Sequence, residues 1–327
     1  MFEIEEKNKP TYFVDNQEYK RFDQRNTAFN LLKRYPEKFN GRETLFTTEC
    51  HVSNEKQRKH NFSTILSKTV QTIKSELLET NISSNDNEDL TTCTYCDSDN
   101  TKNIKTAAAL FGADKSGICL LNKDWIYSHS EDGNKIEIDE DMTYGVILLT
   151  AMETQAILKG TDCNSQDATM IGYLKGSLCA SSLALFIRNS GYKALCYDNS
   201  FALSVPLAID AGLGEMSRNG MLVTPEFGSL VRISKVITNM PLKVDKPISM
   251  GITDFCSNCN KCSKNCPAGA IDCRKEPNFD SIAPCGNTGI KRWQIDALKC
   301  LKYWLKMNIS CSGCLKVCPL NKIFPQK

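Results

Sequence analysis

The sequence predicts an α/β body followed by a separate, small cysteine-rich module, and three observations carry that prediction. A nearly continuous apolar run, YGVILLTAM at residues 144–152, reads as a strand buried on both faces. A long helical pattern follows over residues 167–190, with Ile171, Leu174, Leu178, Leu183 and Phe186 on or near one face. Ten of the chain's 17 cysteines then fall within residues 256–327.

Taken in order, residues 1–40 are polar with scattered aromatics (Tyr12, Phe13, Tyr19, Phe22, Phe29), which suggests an arm laid over a folded body. Over residues 62–78 the spacing of Ile65, Leu66, Val70, Ile73 and Leu77 predicts a helix. Residues 81–102 are rich in Asn, Ser, Thr and Asp and read as a solvated loop or linker. Its lone C-x2-C pair, Cys93 and Cys96, reads as free thiols rather than a metal site. Ordered structure is expected from Lys105 onward, with a helix at residues 107–111 and a strand at residues 117–121. Gly191 ends the long helix where a left-handed cap is favoured, and residues 193–196 form a short strand. The glycines of residues 212–228 allow backbone to approach a flat ligand closely. Three regions follow: an N-terminal arm and helical linker (1–104), an α/β core (105–253) and the cysteine module (254–327).

At 327 residues, with 41% hydrophobic and 24% charged residues, the composition is that of an ordinary soluble globular protein. The net charge of +2 points to neither nucleic acid nor an anionic membrane. The longest apolar run is too short to span a bilayer, and the first thirty residues hold neither a twin-arginine pair nor a signal-peptide core. As written, a cytoplasmic chain is expected, or one on the outer face of the cytoplasmic membrane if a leader was removed.

Cys256, Cys259, Cys262 and Cys266-Pro267 form C-x2-C-x2-C-x3-C-P, the run that in bacterial ferredoxins supplies three ligands to one cubane and a fourth to the other. Cys300, Cys311, Cys314 and Cys318-Pro319 repeat it with a longer first gap. Two such sets predict a ferredoxin-like module with two [4Fe–4S] clusters and crossed ligation. Cys256, Cys259, Cys262 and Cys318 would hold the first, and Cys300, Cys311, Cys314 and Cys266 the second. Zinc normally takes two C-x2-C knuckles, which triple runs with a trailing Cys-Pro do not supply. Residues 256–327 carry twelve Lys/Arg against four Asp/Glu, a charge that offsets anionic clusters. No aromatic-interleaved motif accompanies it, so nucleic acid is not the expected partner. Cys273 and Cys285 read as packing residues. No G-x-G-x-x-G or P-loop opens a helix after a strand, so the electron acceptor carries no nicotinamide or flavin fingerprint.

The sequence resembles the corrinoid-dependent reductive dehalogenases, catalytic subunit family. The matching stretches are RFDQRNTAF (residues 21–29), ALFGADKSGI (109–118), LFIRNSGYKAL (185–195) and ALSVPLAIDAGLGEMSRNGMLVTPEFG (202–228), completed by the paired cysteine runs. The resemblance covers residues 21–321 and is weakest between residues 39 and 105. It implies an α/β (α+β) corrinoid-binding core, with the clusters feeding electrons to a cobalamin-type cofactor that removes halide from an organohalide. It implies Tyr173 as proton donor, Arg232 as the cation that stabilises its phenolate, and Asn199 as the amide completing the site. A phenol is a weak acid, and a guanidinium beside it favours the ionised form. The corrinoid is expected near Gly212, Gly214 and Gly220. It should be base-off with no protein ligand to cobalt, since only His51, His60 and His129 exist and none lies in a D-x-H-x-x-G pattern. The implied partners are a ferredoxin, flavodoxin or membrane quinol donor, a membrane-anchor subunit if the chain is exported, and a second copy in a homodimer.

Plainer readings stand beside these. Tyr173 also reads as a core tyrosine, Asn199 as a turn residue, Arg232 as an exposed strand residue and His129 as a surface or packing histidine. Epoxyqueuosine reductase, a tRNA-modifying enzyme with the same cofactors, shares the GLG…NG…PE-[FY]-G pattern. A non-catalytic corrinoid/iron–sulfur electron carrier or chaperone is the third reading. The FIR-x-x-GY stretch and the filled tyrosine slot favour the dehalogenase.

Overall fold

The central strand of the fold is Tyr144–Ala151, and its side chains are buried alternately on two sides. In the computed structural model, which describes residues 2–39, 55–79, 96–281 and 285–324, it pairs with Lys115–Leu120 on one side and Val231–Thr238 on the other. Ala194–Tyr197 pairs with the outer edge of Val231–Thr238. Every pairing in this four-stranded sheet is antiparallel, so of the two forms left open by sequence the body takes the α+β one. Val146 and Leu148 pack with Ile118, Val236 and the long helix Cys163–Asn189. Ile147 and Leu149 face the opposite core, with Trp125, Ile126, Leu207 and Ile237.

The long helix starts four residues earlier than its pattern predicts, at a capping box in which Ser165 N donates to Asp162 Oδ1 at 2.8 Å. The face it turns to the sheet is also not the predicted one. Gly172, Gly176, Ala180, Leu183, Ala184 and Ile187 are buried, whereas Leu178 and Leu185 are exposed. Small residues let helix and sheet approach closely: a Cβ on Gly172 would stand 3.1 Å from Arg232 Cγ. This is the one described helix long and apolar enough to cross a membrane, and it packs against the sheet and the helix Glu55–Glu79.

A helix over Asp97–Leu110 overturns the expectation of a loop reaching Lys102. Asp97 and Asp99 in its first turn are loop-formers by type but favourable at a helix N-terminus. Cys96 is exposed beside it, while Cys93 and His51 lie outside the described residues.

The N-terminal arm runs over the body. Tyr12 and Tyr19 pack edge-on against Trp125, and Arg21 donates to the carbonyls of Ile126, Tyr127 and Ile136. Farther on, Phe2 packs against Phe255 and Phe324 of the C-terminal module.

Candidate active site and cysteine pockets

Tyr173 and Arg232 meet where the long helix crosses Val231–Thr238. Arg232 stands opposite Thr150 in the sheet and points at the helix through the gap left by Gly172. Its Nη1 donates to Tyr173 Oη at 3.4 Å and its Nη2 to Thr169 Oγ1 at 3.3 Å. The guanidinium carbon lies 4.6 Å from the phenol ring centroid, a cation–π distance. Arg232 Nε is buried with no partner, a donor held in reserve at this spot.

Asn199 is exposed and its Oδ1 accepts from Ser204 Oγ at 3.2 Å. Its link to the pair runs through the preceding residue. Asp198 Oδ2 lies 2.6 Å from Lys74 Nζ, and that ammonium is 4.8 Å from the Tyr173 ring centroid. The phenol therefore lies within reach of two cations. Burial works against ionisation of Asp198, but the Lys74 charge and hydrogen bond, with help from Ser200, hold its carboxyl below the usual range. Lys235, fully buried, donates to the carbonyls of Asp198 and Ser200 at 2.5 and 2.9 Å. Burial pushes its ammonium down to about 8 against the opposing pull of Asp198.

Lys74 carried no signal in sequence, because a lysine on a helical pattern reads as a solvated residue. The pair is only 16% and 14% exposed, so Lys74→Met leaves the Asp198 carboxylate without its ion-pair partner and should cost on the order of 3 kcal/mol. That contribution is complete above the unfolded carboxylate value of about 3.9 and is lost as pH falls through the lower folded value. Denaturant midpoints measure it. Adding Asp198→Asn to Lys74→Met should recover part of the loss, and no shift in Lys74→Met would mean that the pair does not form in solution.

The module begins with the helix Ile252–Asn258, whose N-terminus is capped by a buried acid of the body: Glu215 Oε2 accepts from Met250 N and Ile252 N at 2.6 and 3.1 Å. Cys256, Cys259, Cys262 and Cys318 line one pocket, together with Arg218, Phe255 and Leu320. Burial raises Cys256 to about 11 and Cys262 to about 12, with neighbouring thiols adding to the shift. In the other set burial raises Cys300 and Cys314 to about 12, again reinforced by Cys311 and Cys266. Thr161 Oγ1 and Gly313 N donate to Cys311 Sγ, and Ala270 N to Cys266 Sγ. Among the described residues no three His, Cys, Asp or Glu groups converge as they would on a single ion. Cys273 is exposed, and Cys285 packs beside Leu301 and Leu305.

The glycine-rich segment does something other than predicted. A Cβ on Gly212 would stand 2.3 Å from Lys246 O, on Gly214 2.1 Å from Val223 O, and on Gly220 2.6 Å from Ile295 Cδ1. These three glycines admit the protein's own chain, so the expectation that their smallness serves a flat ligand is corrected. Gly228, at φ +55°, lets Asn321 Oδ1 accept from Ser229 N at 2.7 Å. The segment is the joint that clamps body to module. His60 pairs with Asn308 Nδ2 at 2.8 Å and His129 with Ser128 Oγ at 3.1 Å.

No family model matches the chain. It is 34% identical over 252 residues to the tetrachloroethene reductive dehalogenase of Sulfurospirillum multivorans, covering 68% of this chain and 50% of that protein. The chain thus spans about half the length of the curated relatives it matches. It superposes on a catabolic reductive dehalogenase in complex with 3-bromo-4-hydroxybenzoic acid with a TM-score of 0.78 and 26% identity, over 98% of this chain and 45% of that one. A second structure, described as suggesting a mechanism for B12-dependent dehalogenation, gives 0.77 and 27% over 97% and 44%. Similarity to the epoxyqueuosine reductase of Bacillus subtilis, 30% over 127 residues, covers 34% of this chain and 27% of that protein.

Proposed function

Because this chain belongs to the reductive dehalogenase family, we propose that it replaces a halogen of an organohalide with hydrogen, using electrons passed through two [4Fe–4S] clusters to a cobalamin-type corrinoid. The observation that carries this reading is the Tyr173–Arg232 contact, in a chain that also gathers two sets of cysteines. The balance is R–X plus two electrons and one proton, giving R–H and halide. Residues 105–253 form the catalytic core and residues 254–327 the electron-carrying module.

Cys256, Cys259, Cys262 and Cys318 would hold one cluster, and Cys300, Cys311, Cys314 and Cys266 the other. Each thiol gives up its proton on ligation, so assembly of the module releases protons. The corrinoid, when bound, would supply a reducible cobalt for breaking the carbon–halogen bond, and no histidine of this chain is proposed to hold it. No corrinoid contact is assigned to Gly212, Gly214 or Gly220.

Tyr173 Oη holds the proton that the carbon receives. Arg232, already directed at that oxygen, stabilises the phenolate, and Lys74 adds a second positive charge over the ring. Asn199, exposed and next to Asp198, orients the substrate without carrying charge. The electron donor is a ferredoxin, a flavodoxin or a membrane quinol system.

The test supplies anaerobically reconstituted protein, cobalamin and a chemical reductant with a chlorinated ethene, a brominated hydroxybenzoate and an epoxyqueuosine-bearing tRNA. Free halide with unchanged tRNA is expected. Reduced tRNA without halide would move the chain to the epoxyqueuosine reductases, and neither product from a fully loaded protein would leave an electron carrier.

A further inference from the structure

We propose that Arg218 is the positioning residue that sets the reduction potential of the cluster held by Cys256, Cys259, Cys262 and Cys318. The inference rests on the iron–sulfur reading above. Arg218 sits in the turn joining Glu215–Met216 to Leu222–Val223, so it is carried by the body and reaches into the module. It is 1% exposed. Its guanidinium donates to the carbonyls of Cys256 and Arg274 at 2.6 Å, of Cys259 and Asp272 at 3.1 Å, and of Lys275 at 3.5 Å. Its planar face lies 4.5 Å from the Trp293 ring centroid, and it lines the same pocket as the four thiols.

These partners are all neutral: carbonyl oxygens and an aromatic face. A guanidinium keeps its charge in proteins, so a full positive charge is fixed where water does not reach. A buried charge without a counter-charge is costly, and this one faces the space that four thiolates and their cluster would fill. Two consequences follow. The bonds to the Cys256 and Cys259 carbonyls fix the ligand loop, and the charge favours whichever cluster state is more negative. One-electron reduction adds one negative charge to the cluster and makes or breaks no bond. The Arg218 charge therefore raises the potential of this cluster relative to a neutral side chain in the same place.

The test is an EPR-monitored titration with dithionite of the full chain, of Arg218→Gln and of Arg218→Lys, with iron counted in each. Glutamine keeps donors for the carbonyls and removes the charge, whereas lysine keeps the charge. In Arg218→Gln one cluster signal should become at least tenfold harder to reduce, which is 59 mV for one electron, while the other cluster does not move. Arg218→Lys should shift by less than half as much. If Arg218→Gln fails to load the cluster, Arg218→Lys decides: loading at a near-normal potential supports the charge, and a large shift counts against it. An unchanged potential in Arg218→Gln, equal shifts in both variants, or loss of iron from both would overturn the proposal and leave Arg218 as a structural tie. Absence of iron from the unsubstituted protein would instead defeat the iron–sulfur reading, and is seen before any variant is compared.

Discussion

Tyr173→Phe is expected to abolish halide release, with a loss of about 10²–10⁴-fold, while iron and corrinoid content stay intact. The substitution removes one hydroxyl from a half-buried ring whose packing is otherwise kept. Arg232→Leu should be nearly as damaging, because the phenolate loses the cation that the structure directs at its oxygen. Asn199→Ala should be the mildest of the three, since an exposed amide orients without carrying charge. Initial rates of halide release on protein of matched iron and cobalt content measure all three. If Tyr173→Phe keeps most of its rate, Tyr173 is a core tyrosine and the proton comes from elsewhere.

The second large effect concerns crossed ligation. Cys318→Ala should remove the same cluster signal as Cys256→Ala, although 62 positions separate the two residues in the chain. Both line one pocket. Cys314→Ala should remove the other signal, shared with Cys300 and Cys266. Iron should fall from about eight per chain toward four in each case, and electron delivery should fail with it. Pairing Cys318 with the Cys314 signal instead would mean that each cluster is built from one consecutive run.

One grouping of cysteines was legible in the sequence: the repeated spacing paired Cys318 with Cys256, Cys259 and Cys262, and these four thiols line one pocket. The central strand was clear, since a strand covered on both faces needs apolar residues at nearly every position, and Tyr144–Ala151 has them in all but Thr150. The long helix was found but its buried face was misassigned. The periodicity of large residues marked Leu178, whereas close packing on a sheet is made by Gly172, Gly176 and Ala180. A similar blindness affected residues 212–228. Glycine announces close approach without saying to what, and here the neighbours are the protein's own backbone at Gly212 and Gly214 and its side chains at Gly220 and Gly228. Lys74, Asp198 and Lys235 were invisible for a different reason. Charged residues are expected in solvent, and only the tertiary fold brings Lys74 onto Asp198 and seals Lys235 beneath it.

The central claim is that halide is replaced by hydrogen, and the mass of the product formed in heavy water tests it most directly. Protein loaded with clusters and cobalamin, given a chemical reductant and an organohalide in D2O, should release one halide for each product molecule that gains one deuterium at the dehalogenated carbon. A product carrying hydroxyl in place of the halogen, or release of halide without the reductant, would contradict the account.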